Sequence, residues 1–234
     1  MKKGIDISKY NIIKDTMRIW MDGYETVIIK ATNGFVIDPR LDAHFNMFFT
    51  VRKLFPKVKF NIGFYHYPKF TNKNDGAKEA MFFLNAVSPY LKQLKGTHVN
   101  HHLDVEHYYV TATRQRYNVN LTQWITVVEN ADPHKPGIYS SYGEWARMTG
   151  NHPYGKAYGD WVASWTAGAA PLLPVGWLKD NIRLWQVGIA GQHKWLPKSV
   201  AGVEGKVDVD YVLIQNPAET NTSPRPRRIR KSAR

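Results

Sequence analysis

The sequence predicts an α/β barrel on three observations. Eight short apolar segments read as strands, helical stripes alternate with the first of them, and the last third of the chain loses every helical period. At 234 residues the chain fits one such domain, because barrels of alternating strands and helices commonly take about 200 to 250. With 43% apolar residues it can bury a substantial core. The expected architecture is an irregular (β/α)8-type barrel of eight strands over residues 1–215, with helices missing between the last strands. Residues 216–234 are polar, Pro-containing and basic, and are expected to form a disordered tail.

Residues 4–8 (GIDIS) place one acid among apolar side chains and run into Lys9-Tyr10-Asn11, a strand ending in a loop. Residues 15–23 predict a short helix closed by Gly23. Residues 26–32 (TVIIKAT) are a continuous, β-branched run of the kind buried on both faces of parallel sheets, and Asn33-Gly34 turns the chain. Leu41, Phe45, Phe48, Phe49 and Val51 recur at near-helical spacing over residues 40–54, and Pro56 stops that helix. Residues 60–67 (FNIGFYHY) are the third strand.

The clearest helix spans 75–94, with Ala77, Ala80, Met81, Leu84, Val87, Leu91 and Leu94 in one stripe, Gly96 past its end and Pro89 expected to kink it. A fourth strand at 101–106 follows, then a stripe of Leu121, Trp124, Ile125 and Val128, a strand at 135–141 and a short helix at 142–149. Residues 160–165, 182–188 and 207–213 read as strands, joined by segments rich in Gly, Pro and Trp. Alternation of this kind argues a parallel sheet with right-handed crossovers, and eight strands argue closure. No Gly-rich phosphate turn follows the first strand, which speaks against an open nucleotide-binding sheet.

In a closed barrel of parallel strands the active site lies at the C-terminal rim. The strand ends there supply Asp6 on the first, Asp104 and Glu106 on the fourth, and Asp208 and Asp210 on the eighth. Lys30, Tyr65, His66, Tyr67 and Tyr139 fall on or near the same ends, as do Trp165, Trp185 and Gln186. Asp104 and Glu106, two apart on a strand, face the same way, about 6 to 7 Å apart along the backbone. That spacing suits a general acid and a second carboxylate around one glycosidic bond. An acidic floor ringed by aromatics suits carbohydrate, whose axial hydrogens lie on aromatic faces while hydroxyls take polar partners. Trp124 and Trp145 lie on helices and read as core, whereas His101 and His102 precede the strand end and read as structural. No His and carboxylate cluster stands at ligand spacing, so neither a metal nor a cofactor is expected.

The absence of Cys excludes disulfides, a thiolate nucleophile and Cys-ligated metals. The N-terminus has two lysines and then Asp6 where a secretory signal needs an apolar run, and no window reaches the length of a membrane span. The formal charge of +13 is uneven. From Pro217 onward, six basic residues (Arg225, Arg227, Arg228, Arg230, Lys231, Arg234) oppose Glu219, giving the tail +5 and leaving +8 for the body. Both parts are drawn to polyanions, among which an anionic wall polymer or membrane surface fits best; the tail lacks the interleaved aromatics that stack nucleic-acid bases.

These residues carry a resemblance. Gly4-Ile5-Asp6-Ile7-Ser8 with Tyr10, Val27-Ile28-Ile29-Lys30-Ala31-Thr32-Asn33-Gly34, Gly63-Phe64-Tyr65-His66-Tyr67, Leu103-Asp104-Val105-Glu106, Pro136-Gly137-Ile138-Tyr139-Ser140, Trp185-Gln186-Val187 and Val207-Asp208-Val209-Asp210 stand in one order. In this the chain resembles the glycoside hydrolase family 25 muramidases, the N,O-diacetylmuramidase type of lysozyme found in phages, bacteria and fungi. The resemblance covers residues 4 to 213 and implies an irregular barrel whose last strands lack helices. It also implies cleavage of the β-1,4 bond between N-acetylmuramic acid and N-acetylglucosamine in bacterial peptidoglycan; a monomer is expected. Two departures stand out: Asn33 where many relatives have an acid, and a poorly matching loop after it, with His44 where an Asn is usual.

On that likeness Glu106 is the expected acid and base, Asp104 orients the substrate's 2-acetamido group for retention, and Asp6 and Asp208 polarise and position. A nucleophilic Asp, or direct attack by water with inversion, is the alternative. Lys30, Tyr65, His66, Tyr67, Tyr139, Trp165, Trp185, Gln186 and Asp210 are the expected substrate contacts. Rival readings are a chitinase-like enzyme acting on poly-N-acetylglucosamine and a non-catalytic glycan-binding or virion structural protein. The expected setting is a phage-type endolysin, made in the cytoplasm and acting on the wall after release, or from the virion.

Overall fold

The strand that carries Asp6, β1 (Lys2–Ile7), is buried along its last four residues and hydrogen-bonds to a neighbour on each side. The structure is a computed structural model and describes residues 2–73, 75–95, 97, 99–106, 112–132 and 135–213. The expected tail at 216–234 and the Gly96 stop signal lie outside the described residues.

From β1 the sheet passes through β2 (Tyr24–Asn33), β3 (Asn61–Tyr67), β4 (His101–Asp104) and β5 (Gly137–Ser141). It continues through β6 (Gly159–Ala163), β7 (Leu184–Ile189) and β8 (Asp208–Val212), and β8 pairs back onto β1, closing an eight-stranded barrel. The first seven strands run parallel. The eighth runs antiparallel to both neighbours, which corrects the expected all-parallel sheet. The cause is the connection before it. Residues 190–207 contain no helix, and without a crossover to carry the chain to the far end the next strand starts at the rim and runs back down.

Five helices fall where the stripes place them: α1 (Thr16–Met21), α2 (Leu41–Leu54), α3 (Gly76–Gln93), α4 (Arg114–Ala131) and α5 (Tyr142–Thr149). A sixth, α6 (Tyr154–Tyr158), is a five-residue segment too short to show a period. Between β6 and β7 there is only a 3₁₀ turn at Lys179–Asn181. Helix α3 runs on through Pro89, and its start is capped from outside. The Asn120 Oδ1 on α4 accepts from the backbone N–H groups of Asp75 and Gly76 at 3.0 and 3.2 Å. Gly76 is required there, since a Cβ would lie 2.0 Å from the Asn120 carbonyl oxygen.

Apolar side chains fill two spaces. The larger cluster packs the helices onto the outside of the barrel, and Trp124 and Trp145 sit in it fully buried. The smaller consists of Ile28, Tyr65, Tyr139, Trp161 and Leu184. These come from β2, β3, β5, β6 and β7 and plug the barrel interior, so the pocket above them has an aromatic floor.

Candidate active site

The barrel opens at the C-terminal ends of its parallel strands into a cavity of about 230 Å³. Four carboxyls line it: Asp6, Asp104, Glu106 and Asp208. Lys30, Tyr65, Tyr139, Trp161, Trp165 and Gln186 complete the wall. Asp6 sits directly opposite Asp208 in the β1/β8 register. That pairing exists only because β8 is reversed. In an upward-running last strand, Asp208 would sit at the bottom of the barrel.

Asp6 and the backbone under Glu106 are held by their neighbours. Gln186 Nε2 donates to Asp6 Oδ2 at 2.9 Å, while Gln186 Oε1 accepts from the Tyr139 hydroxyl at 2.9 Å and from Trp165 Nε1 at 3.1 Å. The amide is thereby fixed in one orientation. Strand β4 ends at Asp104, so Glu106 lies two residues beyond it. Its stem is tied down nonetheless: the Val105 N–H donates to the Tyr139 carbonyl at 2.9 Å, and Ser140 Oγ donates to the Val105 carbonyl at 2.7 Å. Asp104 lines the cavity, and its buried Oδ1 has no hydrogen-bond donor among the described residues.

Crowding and burial shape the charges. Burial raises the Glu106 carboxyl to about 6; Lys30 pulls it down, and Glu144 and Asp208 push it back up. Asp104 is raised by burial and by Glu106, against Lys30. Asp6 is raised by burial and by Asp208 and Asp210. Burial takes Asp208 to about 6. Lys30 is the cation facing this group, its Nζ held 4.4 Å from the Tyr67 ring centre and 5.4 Å from that of Tyr65. Among the described residues no group of three or more His, Asp or Glu side chains is set to hold a metal ion.

Of the expected substrate contacts, Lys30, Tyr65, Tyr139, Trp165 and Gln186 line the cavity. Tyr67 lies under Lys30. Asp210 sits one strand period deeper, opposite Gly4, and its Oδ1 accepts from Trp161 Nε1 at 2.8 Å. Two residues point elsewhere. His66 faces out of the barrel, fully buried between β2 and α3, with Nδ1 2.7 Å from Thr32 Oγ1 and Nε2 2.8 Å from Glu79 Oε2. Trp185 also turns outward and donates from Nε1 to the Ser164 carbonyl at 2.7 Å. Both were placed at the rim by counting strand ends, which ignores that neighbours on a strand face opposite ways. His101 and His102 are buried, facing Asp132 and Asp160, and neither lines the cavity. His44 is buried against the Asn11 carbonyl.

Two contributors were missed. Trp161 lines the cavity but lies below the strand end; inward alternation with Ala163 and Trp165 is the signal that finds it. Glu144 reaches the site through its charge on Glu106. It lies three residues after Ser141, whose Oγ accepts from the Glu144 N–H at the start of α5.

A closed strand-and-helix barrel with a proton-holding carboxyl and a second carboxyl at its aromatic-walled rim defines a glycoside hydrolase. The family model for glycosyl hydrolases family 25 matches residues 5–194, and the chain belongs to that family. The lysozyme of Streptomyces coelicolor shares the fold with a TM-score of 0.69 at 21% identity, covering 90% of this chain and 91% of that one. A muramidase from Acremonium alcalophilum gives 0.68 at 20% identity, covering 92% and 95%. The catalytic domain of endolysin ply40, from bacteriophage P40 of Listeria monocytogenes, gives 0.65 at 22% identity, covering 91% and 93%. No curated protein matches the sequence.

Proposed function

We propose that the protein is a peptidoglycan hydrolase that cuts the β-1,4 bond between N-acetylmuramic acid and N-acetylglucosamine, with retention assisted by the substrate's own acetamido group. The observation that carries this reading is the gathering of Asp104, Glu106, Asp6 and Asp208 in one cavity with aromatic walls. An acetamido N–H is a donor that the Asp104 carboxyl can take. Accepting from it, Asp104 turns the acetamido carbonyl toward the anomeric carbon. Glu106 protonates the leaving oxygen and then takes a proton from the incoming water. Asp6, locked by Gln186, and Asp208 opposite it position the sugar and its acetamido group as they react. Tyr65, Tyr139 and Trp161 offer the ring an apolar face.

The test is mass analysis of fragments freed from purified sacculi, with chitin treated in parallel and the anomeric configuration of the fresh product read by NMR. Reducing-end N-acetylmuramic acid, formed first as the β-anomer, is expected. Reducing-end N-acetylglucosamine from chitin alone would replace the substrate assignment, and an α-anomer would replace the route. We place the enzyme in a phage-type lytic role, with its +5 tail at residues 217–234 drawing it to an anionic wall.

A further inference from the structure

The connection from β7 to β8, residues 190–207, rises at the catalytic rim, between Gln186 and Asp208. It carries two aromatic rings that the chemistry above does not use. His193 and Trp195 stack face to face, with ring centres 4.5 Å apart and planes 3° from parallel. Trp195 remains 44% exposed, since His193 covers only one of its faces. The pair stands beside the cavity, as the bare backbone of Gly188 shows. A Cβ there would be 3.5 Å from His193 Cδ2 and 3.7 Å from Trp165 Cγ, so those two rings approach within about 7 Å across one glycine. Trp165 is the half-exposed lip of the cavity and is hydrogen-bonded to Gln186 inside it.

The loop holds its rings in place. The Gly191 N–H donates to the Pro197 carbonyl at 2.8 Å and the Leu196 N–H to the His193 carbonyl at 3.1 Å. Leu196 is buried over Gly188, 3.0 Å from where a Cβ would be. An exposed indole fixed in this way loses little freedom when an apolar face settles on it. In a glycan, the C–H face of a sugar ring is that surface.

We propose that His193 and Trp195 form a saccharide-binding platform for a sugar unit of the bound glycan beyond those in the catalytic cavity, reached across Trp165. This rests on the glycan-hydrolase reading. It adds that affinity depends on strand length, because only a strand long enough to pass Trp165 meets the platform.

The test uses full-length Glu106→Gln protein, so that ligand is not consumed, and measures calorimetric binding of soluble peptidoglycan glycan strands fractionated by length down to the disaccharide. Adding Trp195→Ala is expected to weaken binding of long strands roughly threefold to tenfold and to leave disaccharide binding alone. Adding Trp195→Phe instead, which keeps an aromatic face, should restore most of the loss. Equal affinity of the parent and the Trp195→Ala protein for long strands overturns the platform, and so does a loss of the same size at every length. Hydrolysis of sacculi by wild-type protein reports the catalytic reading separately. Length-dependent binding through Trp195 without cleavage would keep the platform and remove the hydrolase, and cleavage with unchanged binding would do the reverse.

Discussion

As the proposed acid, Glu106 has to keep a proton at a pH where an ordinary carboxyl has lost it. Burial does most of this, and the acids around it offset the pull of Lys30. Glu106→Gln should lower kcat on sacculi by roughly a hundredfold to ten-thousandfold while glycan binding persists; near wild-type clearing of walls would remove the assignment. As Glu106 is raised to about 6, kcat/KM should fall as pH rises through about 6, where it gives up its proton. A pH profile that keeps rising past 7 contradicts this. The same shifts tie stability to pH. Glu106 and Asp208 at about 6, and Asp210 at about 7, hold protons more tightly folded than unfolded. Their contribution is complete below about pH 4 and is lost as pH climbs through 6 to 7. Glu106→Gln should therefore be the more stable protein at pH 7, by about 2 kcal/mol at 1.36 kcal/mol per pKa unit. Its advantage should vanish near pH 4, and thermal melts across that range read it directly.

At the scale of elements, strand direction and strand bulges decide which side chains meet. A register shift between Lys30 and Thr32 against β3 leaves Ala31 as the extra residue. Lys30 therefore points into the pocket while Thr32 turns out to His66. His66 then joins β2 and β3 to α3 through Glu79, whose Oε2 also accepts from the Lys69 N–H at 3.0 Å. Burial lowers the His66 imidazole below its ordinary range, so this reads as a neutral ring beside a buried acid. His66→Ala should destabilise the protein by about 3 to 5 kcal/mol, since it strands Glu79 and uncovers the stacked face of Trp124. Urea titration checks it. A change confined to KM, with stability untouched, would return His66 to the list of substrate contacts. On β6, Trp161→Phe removes the donor to Asp210 Oδ1 and should cost about 1 to 3 kcal/mol.

Across the whole molecule, charge is arranged at two distances. The pocket gathers carboxyls around Lys30, while the chain as a whole carries +13. In the proposed role, positive potential over the surface would draw the protein to a polyanionic wall, and the acids would act only on the bond that enters the cavity. Removing residues 217–234 takes away +5 of that charge. Association with isolated walls should weaken most at low salt, where the Debye length is longest, and converge with the full chain near 1 M, where it is about 3 Å. Equal binding at every salt concentration would deny the tail this role.

The sequence by itself determined the eight strands and the five longer helices, and it named the four acids that line the cavity together with Asp210, which lies deeper. Those signals are local: β-branched runs, 3.6-residue stripes, and acids beside strand ends at 6, 104 and 208. Only the tertiary structure decided which of them converge. That β8 runs downward, so that Asp208 faces Asp6, depends on the missing helix between β7 and β8 and on ladder bonds to two strands far apart in the chain. Whether Tyr65 or His66, Gln186 or Trp185, looks into the pocket depends on pleat and bulge, where a shift of one residue reverses every side chain. Patterns within a segment specify its own conformation, but direction and facing belong to pairs of segments, and those pairings form only when the barrel closes.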